Sequence, residues 1–395
     1  MGESIEEQAC SWNRGSRYQV MYFHFPVFFR LLRLTFSRRY FSPRHAALAL
    51  LFIVPYLLLR GLVWTGRGLD RLFFPEYRRQ AVVAPIYIIG NPRSGTTFSH
   101  RLLSRDRRFS YFELFHTVFP AITFYKLFAA AGAIDSRLGR PGARLLNVLS
   151  NWGFRGWEKI HRTGPREAES DEMLFVYAML SPLLALLFPF LDELPEVKFV
   201  DRLPAAERQK LMGYYRDCLQ RHLYAVGPDK VLLQKVALIA GRLQSIYEIF
   251  PDMRIVYLVR HPYESIPSLI SMFRVPWRTL VPAAYDDAQA MAGVAEMIFE
   301  YYRSILRFKR KMPASQFIEI RYQDLVADPQ GCVEGLYSKL GLAMSEEFRQ
   351  ALAAEAAKAR NYKSRHRYSL EEYGLSKDQV YRELREVFEE YGFEP

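Results

Sequence analysis

Ile86-Tyr87-Ile88-Ile89-Gly90-Asn91-Pro92-Arg93-Ser94-Gly95-Thr96-Thr97 is the stretch from which the fold is read. Four apolar, partly β-branched residues predict a buried strand, and Gly90 and Pro92 end it. Phe98 to Ser104 has the spacing of a helix that starts near Gly95. A strand, a glycine-containing turn and a helix N-terminus together form an anion cradle, because successive backbone N–H groups and the positive end of the helix dipole converge on one spot.

Gly90 and Gly95 have the spacing of the Walker A loop, G-x-x-x-x-G-K-[ST]. Thr96 stands where that motif has lysine, and the cation, Arg93, lies inside the loop. An NTPase without the lysine lacks the group that reaches the terminal phosphates. A sulfuryl donor makes other demands: its 5′ end carries one phosphate and one sulfate, and transfer needs no bridging Mg²⁺. The run Pro92 to Thr97 resembles the 5′-phosphosulfate loop of sulfotransferases that use 3′-phosphoadenosine 5′-phosphosulfate (PAPS). Its arginine is most similar to the tyrosylprotein sulfotransferases and their bacterial relatives. The resemblance implies that Arg93, Ser94, Gly95, Thr96 and Thr97 hold the donor, with Arg93 also serving the transfer, and that no metal is required.

The chain of 395 residues is long enough for one large α/β domain or two smaller ones, and half of its residues are hydrophobic. A net charge of +12 suits an anionic partner: a nucleotide, a membrane surface or nucleic acid. No zinc-ligand spacing, RNP-like aromatic motif or long basic tract points to nucleic acid. Cys10, Cys218 and Cys332 are widely separated and odd in number, which excludes a disulfide framework and favours a reducing, cytoplasmic compartment.

Residues 1–80 read as an aromatic and basic helical segment ahead of a catalytic domain over 81–395. The first ten residues are acidic and polar, unlike the n-region of a signal peptide. Tyr18 to Phe41, rich in Phe and Arg, suits either an interfacial helix or a hairpin packed on the domain. Ala46 to Leu59 is an uncharged run interrupted by Pro55, shorter than the ~20 residues of a spanning helix unless Arg60 snorkels. A buried or monotopic helix is the expectation, with peripheral contact to an anionic membrane.

Further on, Val231–Val236, Arg254–Val259 and 316–322 read as strands, with helices expected over 238–250, 263–273, 286–312, 329–340, 346–358 and 376–391. Residues 117–230 are expected to hold a helical, substrate-side insertion. Within it a helix is expected to start near Thr163–Glu172, and Met173 to Leu191, broken by Pro182 and Pro189, reads as pocket wall or core. The alternation predicts an α/β fold, a P-loop NTPase-like parallel sheet with helices on both faces. Ligands in such sheets bind beyond the strand C-termini, where the Arg93 loop, Lys235 and Arg260 all lie.

Arg260 occupies a strand end where a P-loop NTPase usually carries a metal-binding Asp, and a cation there rejects Mg²⁺. Arg260-His261-Pro262-Tyr263-Glu264-Ser265-Ile266-Pro267-Ser268 resembles the sulfotransferase element that grips the donor's 3′-phosphate. The resemblance assigns this to Arg260 and Ser268, with Ser265 as the alternative. It also implies that Glu113 is the general base, with His116 as runner-up, and that Lys235 steadies the bridging oxygen although the family's following proline is absent here. By the same resemblance Lys363 and Ser364 close over the nucleotide, and Tyr322 lies near it or in the core. Glu169 and Glu172, three apart, are kept as substrate contacts; His100 and His161 read as structural.

The whole reading is a PAPS-dependent sulfotransferase acting on a hydroxyl acceptor. The aromatic N-terminus and the 173–191 wall suggest an apolar or lipid-like alcohol or phenol, with a tyrosine-bearing peptide still open. Its rivals are a nucleotide kinase or NTPase with a degenerate loop and a membrane-associated nucleotide-binding protein without turnover.

Overall fold

The computed structural model describes residues 21–91, 94–139, 169–359 and 369–395. Five short apolar segments form one parallel sheet: β1 (Ile86–Ile89), β2 (Phe109–Ser110), β3 (Val231–Val236), β4 (Arg254–Val259) and β5 (Phe317–Arg321), in the order β2-β3-β1-β4-β5. β1 is central, with Ile89 beside Val236 on one side and Tyr257 on the other. The helices that matter below are α1 (Phe25–Thr35), α2 (Pro43–Phe73), α3 (Thr96–Leu103), α4 (Leu114–Val118), α5 (Ile122–Arg137), α6 (Ala205–Val226), α7 (Leu243–Ile249), α8 (Pro262–Leu280), α9 (Ala288–Lys309), α10 (Pro329–Leu340) and α11 (Glu346–Ala359).

Strand side chains alternate between two buried faces, as the period of two requires. Ile86 and Ile88 join Val256, Leu258 and the apolar side chains of α3, α10 and α11. Tyr87 and Ile89 join Ile255 and Tyr257 under α6, α8 and α9. The α/β expectation therefore holds, with every strand C-terminus delivered to one edge.

The N-terminal helices belong to the same core. Val27 and Leu31 of α1 and Ile53, Tyr56 and Val63 of α2 are buried in the cluster that covers Tyr87. α2 is capped by Ser42, whose hydroxyl accepts from His45 N–H at 3.1 Å, and runs for 31 residues through Pro55. The uncharged run is thus only the N-terminal half of a longer helix. The charges that bounded it in sequence turn inward: Arg60 does not snorkel but donates to the carbonyls of Tyr22 and Tyr177, at 3.3 and 2.6 Å. Arg67 pairs with Asp217, and Asp70 with Arg221 at 2.8 Å, all four being buried. Arg221 also bonds Asp217, and Tyr77 OH donates to the same carboxylate at 3.0 Å. Residues 21–80 are packed into the domain rather than set apart from it.

Three further differences have local causes. α8 continues through Pro267 and Pro276 to Leu280, because its apolar face stays buried beyond the expected end at Phe273. The C-terminal helix divides at Leu384 into Lys377–Glu383 and Arg385–Tyr391. The helix expected from Thr163 has its first described helical residue at Glu172, and it ends at Tyr177; residues 178–191 then line the core in turns, including a 3₁₀ turn at Pro182–Leu186. α6, inside the expected insertion, is a sheet-covering helix whose Tyr215 hydroxyl meets that of Tyr87 at 3.1 Å.

Candidate active site at the strand C-termini

The loop after β1 is shaped by two glycines. A Cβ on Gly90 would lie 3.0 Å from the carbonyl oxygen of Leu258, so β1 and β4 approach closely only because it is absent. Gly95 has φ of +86°, the left-handed region that suits glycine, and caps α3. A Cβ there would come within 3.1 Å of the Tyr322 ring. Ser94 N–H donates to Asn91 O at 3.1 Å, which closes the turn. The first N–H groups of α3 have no intrahelical acceptor, and they begin at Thr96, which is buried, and Thr97, which is exposed. Ser94 is buried, and its hydroxyl has no hydrogen-bond partner among the described residues. A buried polar atom of this kind marks a place for a polar ligand, and its chemistry, a donor near an N-terminus, fits an anion. Pro92 and Arg93 lie outside the described residues, as do Lys363, Ser364 and His161.

Two further strand ends converge on this loop. Arg260 follows β4 directly and Tyr322 follows β5, where it opens the short helix Tyr322–Ala327 instead of ending the strand. The Arg260 guanidinium lies 4.2 Å from the centre of the Tyr322 ring. Tyr322 is therefore shared between the loop glycine and the arginine. Arg260 also pairs with Glu264 at 2.7 Å, and Glu264 and Ser268 are four residues apart on one face of α8. Ser268 is buried. The alternative, Ser265, is already engaged, hydrogen-bonded to Tyr302, whose hydroxyl also meets Asn91. A shallow cleft lies between Arg260, Glu264, Arg321, Tyr322 and Phe393. The larger cavity, about 240 Å³, is lined by none of these residues but by Asp201, Arg202, Glu300 and Arg307 among others, and its arginines are paired with Glu300.

Lys235 sits beside Ile88 in the sheet and shares the α3-covered face with Leu233. It is buried, and its charge reaches His100 of α3, whose imidazole is pushed down to about 3 by burial first and by Lys235 second. Burial thus keeps the His100 imidazole neutral. Glu113 and Lys235 each lie three residues beyond the last β2–β3 pair, Ser110 with Leu232. Glu113 is half-buried at the N-cap of α4.

His116 is placed differently from a general base. Its Nδ1 accepts the Glu113 backbone N–H at 3.1 Å, the pair forming a capping box at the start of α4. It is enclosed by Phe115, Tyr125 and His222, and burial pushes its pKa down to about 3. The Glu169 backbone N–H donates to Phe112 O at 2.8 Å, which brings that segment alongside Glu113. Glu169 precedes the short helix Glu172–Tyr177, so the shared helical face expected for Glu169 and Glu172 does not exist. Glu172 is no substrate contact: Arg242 grips it at 3.0 and 2.5 Å and Ser181 donates to it at 2.7 Å, all buried. Asn91 and Tyr302 were missed in sequence; the asparagine lay inside the loop motif and was readable, whereas nothing local marks a tyrosine in α9.

The sequence profile of the Sulfotransferase family matches residues 85–346. A curated relative, the omega-hydroxy-beta-dihydromenaquinone-9 sulfotransferase Stf3 of Mycobacterium bovis, is 25% identical over 354 residues, 87% of this chain and 84% of the relative. The fold is similar to that of sulfotransferase STF9 from Mycobacterium avium (TM-score 0.73, 15% identity, 99% of this chain and 96% of that one). It is also similar to sulfotransferase STF1 from Mycobacterium tuberculosis (TM-score 0.65, 20% identity, 96% and 98%).

Proposed function

The chain belongs to the sulfotransferase family, and from that premise we propose that it moves a sulfuryl group from PAPS to the hydroxyl of an apolar, lipid-like acceptor. The observation that carries the donor half is the convergence at Tyr322, whose ring lies against the loop glycine and also meets the Arg260 guanidinium. An aromatic ring beside an N–H cradle and a cation suits a nucleotide with an anion at each end of its ribose. The acceptor half draws on the relative, named for a hydroxylated menaquinone derivative, and on the exposed apolar side chains of α2 and α5.

When bound, the donor supplies the sulfuryl group and a 5′-phosphate leaving group. In this reading the loop from Asn91 to Thr97 and the N-terminus of α3 hold the 5′ end, with Arg93 and Lys235 offsetting the negative charge that develops there. Arg260 holds the 3′-phosphate, exchanging its bond to Glu264 for one to the phosphate, and Ser268 donates from the same face of α8. Glu113 takes the proton of the acceptor hydroxyl. His116 serves by fixing the backbone of Glu113. Lys363 and Ser364 remain assigned to closure over the nucleotide. The enzyme is placed in the cytoplasm, with a peripheral membrane contact. Family membership favours this reading over a kinase or a binding protein without turnover.

The test is a thermal-shift panel with adenosine 3′,5′-bisphosphate, AMP and ATP, each with and without Mg²⁺. A ligand at a hundred times its Kd adds about 2.7 kcal/mol of stability. The bisphosphate should stabilise without Mg²⁺ and exceed AMP. If ATP with Mg²⁺ stabilises more, the donor assignment fails.

A further inference from the structure

α2 is inside out for a helix in water. Its inward stripe advances by three and four residues from Ala46 to Asp70 and carries Arg60, Arg67 and Asp70, each bonded to the domain. The outward face from Ala47 to Leu69 holds no charged residue. Leu51 and Leu58 are 69% and 70% exposed, and Val54, Leu62 and Trp64 extend the same surface. α5 lies against α2, with Phe124 packed where a Cβ on Gly66 would come within 2.4 Å of the ring. It adds exposed Leu127, Phe128 and Ile134. Monomers rarely leave a continuous apolar surface of this kind in water.

Charge selects the occupant. Between residues 21 and 75 the sequence has eight arginines and one acid, Asp70, which is buried. Arg33, Arg38 and Arg44 are exposed at one end of the apolar face. Arg79 and Lys126 are exposed at the other, Lys126 lying 4.5 Å from the Phe74 ring. A second copy of the chain would bring like charges together, whereas anionic headgroups neutralise them. The buried stripe runs nearly the length of α2, so the helix lies along the protein. Spanning the bilayer would require breaking the buried Arg67 and Asp70 pairs.

We propose that the joined outer faces of α2 and α5 insert into one leaflet of an anionic bilayer. They thereby open the acceptor side of the active site to lipid. Phe128 connects the two places, packing on Phe119 at 5.2 Å and on Phe115 at 6.1 Å, in and beside the helix that Glu113 caps. The insertion stands independently, and the delivery of the acceptor rests on the lipid-acceptor reading above.

The full-length chain is sedimented with vesicles of phosphatidylcholine, alone or mixed with phosphatidylglycerol. It should bind the mixed vesicles more strongly and keep part of that binding in high salt. The double variant Leu51→Glu, Leu58→Glu should lose at least about tenfold in partitioning, since both side chains would exchange an apolar contact with the acyl chains for a charge. Its melting temperature and its stabilisation by the bisphosphate should be unchanged, because neither side chain supports the fold. Should it melt early, Arg38→Glu with Arg44→Glu replaces it, with selective loss of phosphatidylglycerol-dependent binding as the expected result. Full-length protein that ignores both vesicles, or variants that bind as the parent does, overturns the proposal. So does a dimer broken by the leucine variants in a chain that does not bind vesicles. Failure of the bisphosphate to stabilise any of these proteins would instead sink the donor reading and leave this one standing.

Discussion

Replacing Asp217 with asparagine tests how the N-terminal helices are held. The Asp217 carboxylate accepts from Arg67, Arg221 and Tyr77, and all four side chains are buried. Asparagine keeps the shape and one oxygen acceptor but removes the charge. Arg221 retains Asp70 at 2.8 Å, while Arg67 loses the Asp217 charge. Removing one partner of a buried pair costs about 3–5 kcal/mol, because the remaining charge is left uncompensated. At roughly 2.1 cal/mol/K per residue, the chain unfolds with an entropy of about 0.8 kcal/mol/K, so Tm should fall by roughly 4–6 °C. Calorimetry should show a single transition, as expected when residues 21–80 share the core of the sheet. The control is Asp217→Leu combined with Arg67→Met, which removes both charges and should recover much of the loss. A Tm unchanged in the Asp217→Asn variant, or a separate early transition in the parent, would refute the account of α2 as an integral element.

Glu113→Gln should lower turnover at least about a hundredfold, the lower end of what a positioned base contributes, while bisphosphate affinity stays within a few-fold. Near-normal turnover would move the base elsewhere, with Glu169 the next to test. Arg260→Ala should weaken adenosine 3′,5′-bisphosphate strongly and AMP little, measured by calorimetric titration; equal losses would mean that Arg260 acts through Tyr322 and the loop. Acid should destabilise the protein. His100 and His116 are held down to about 3 and His222 well below its ordinary value, each mainly by burial. The unfolded chain therefore binds more protons below about pH 6.5, and stability present above that pH is lost as pH falls. Asp171 and Asp201, pushed up to about 6 by burial, oppose this, since their contribution is present in acid and lost as pH rises toward 6. Three groups against two should leave Tm falling from pH 7 to pH 5, and a flat or rising profile would contradict the burial of neutral histidines.

The parts of the site that lie next to one another in sequence were legible. The strand, turn and helix from Ile86 to Leu103 need only local pattern, and Arg260 and Tyr322 are placed by the ends of β4 and β5. Relations across the chain were not. Glu172 looked like an acid at a helix N-terminus, and only the fold brings Arg242, seventy residues away, against it. Ser268 stood first in sequence with Ser265 as the alternative, and only the fold brings Tyr302 against Ser265. His116 carried the chemistry of a base, but the capping geometry that occupies its Nδ1 depends on the φ and ψ of Glu113. The charges on α2 misled most. In water Arg60, Arg67 and Asp70 would mark the solvent side of a helix, and here they mark the core.

That inversion reverses the usual rule of mutational tolerance along α2. In most helices the apolar stripe resists substitution and the polar face accepts it. Here the conservative-looking exchange of Arg67 for lysine should be among the least tolerated, since an ammonium cannot reproduce the guanidinium's bonds to Asp217, Pro120 O and Cys218. Polar replacements at Leu51, Leu58 or Leu62 should be accepted, and even raise the yield of dispersed protein, in any host where the membrane-bound step is not selected. A library scored for solubility would therefore enrich the variants that a screen for lipid sulfation discards.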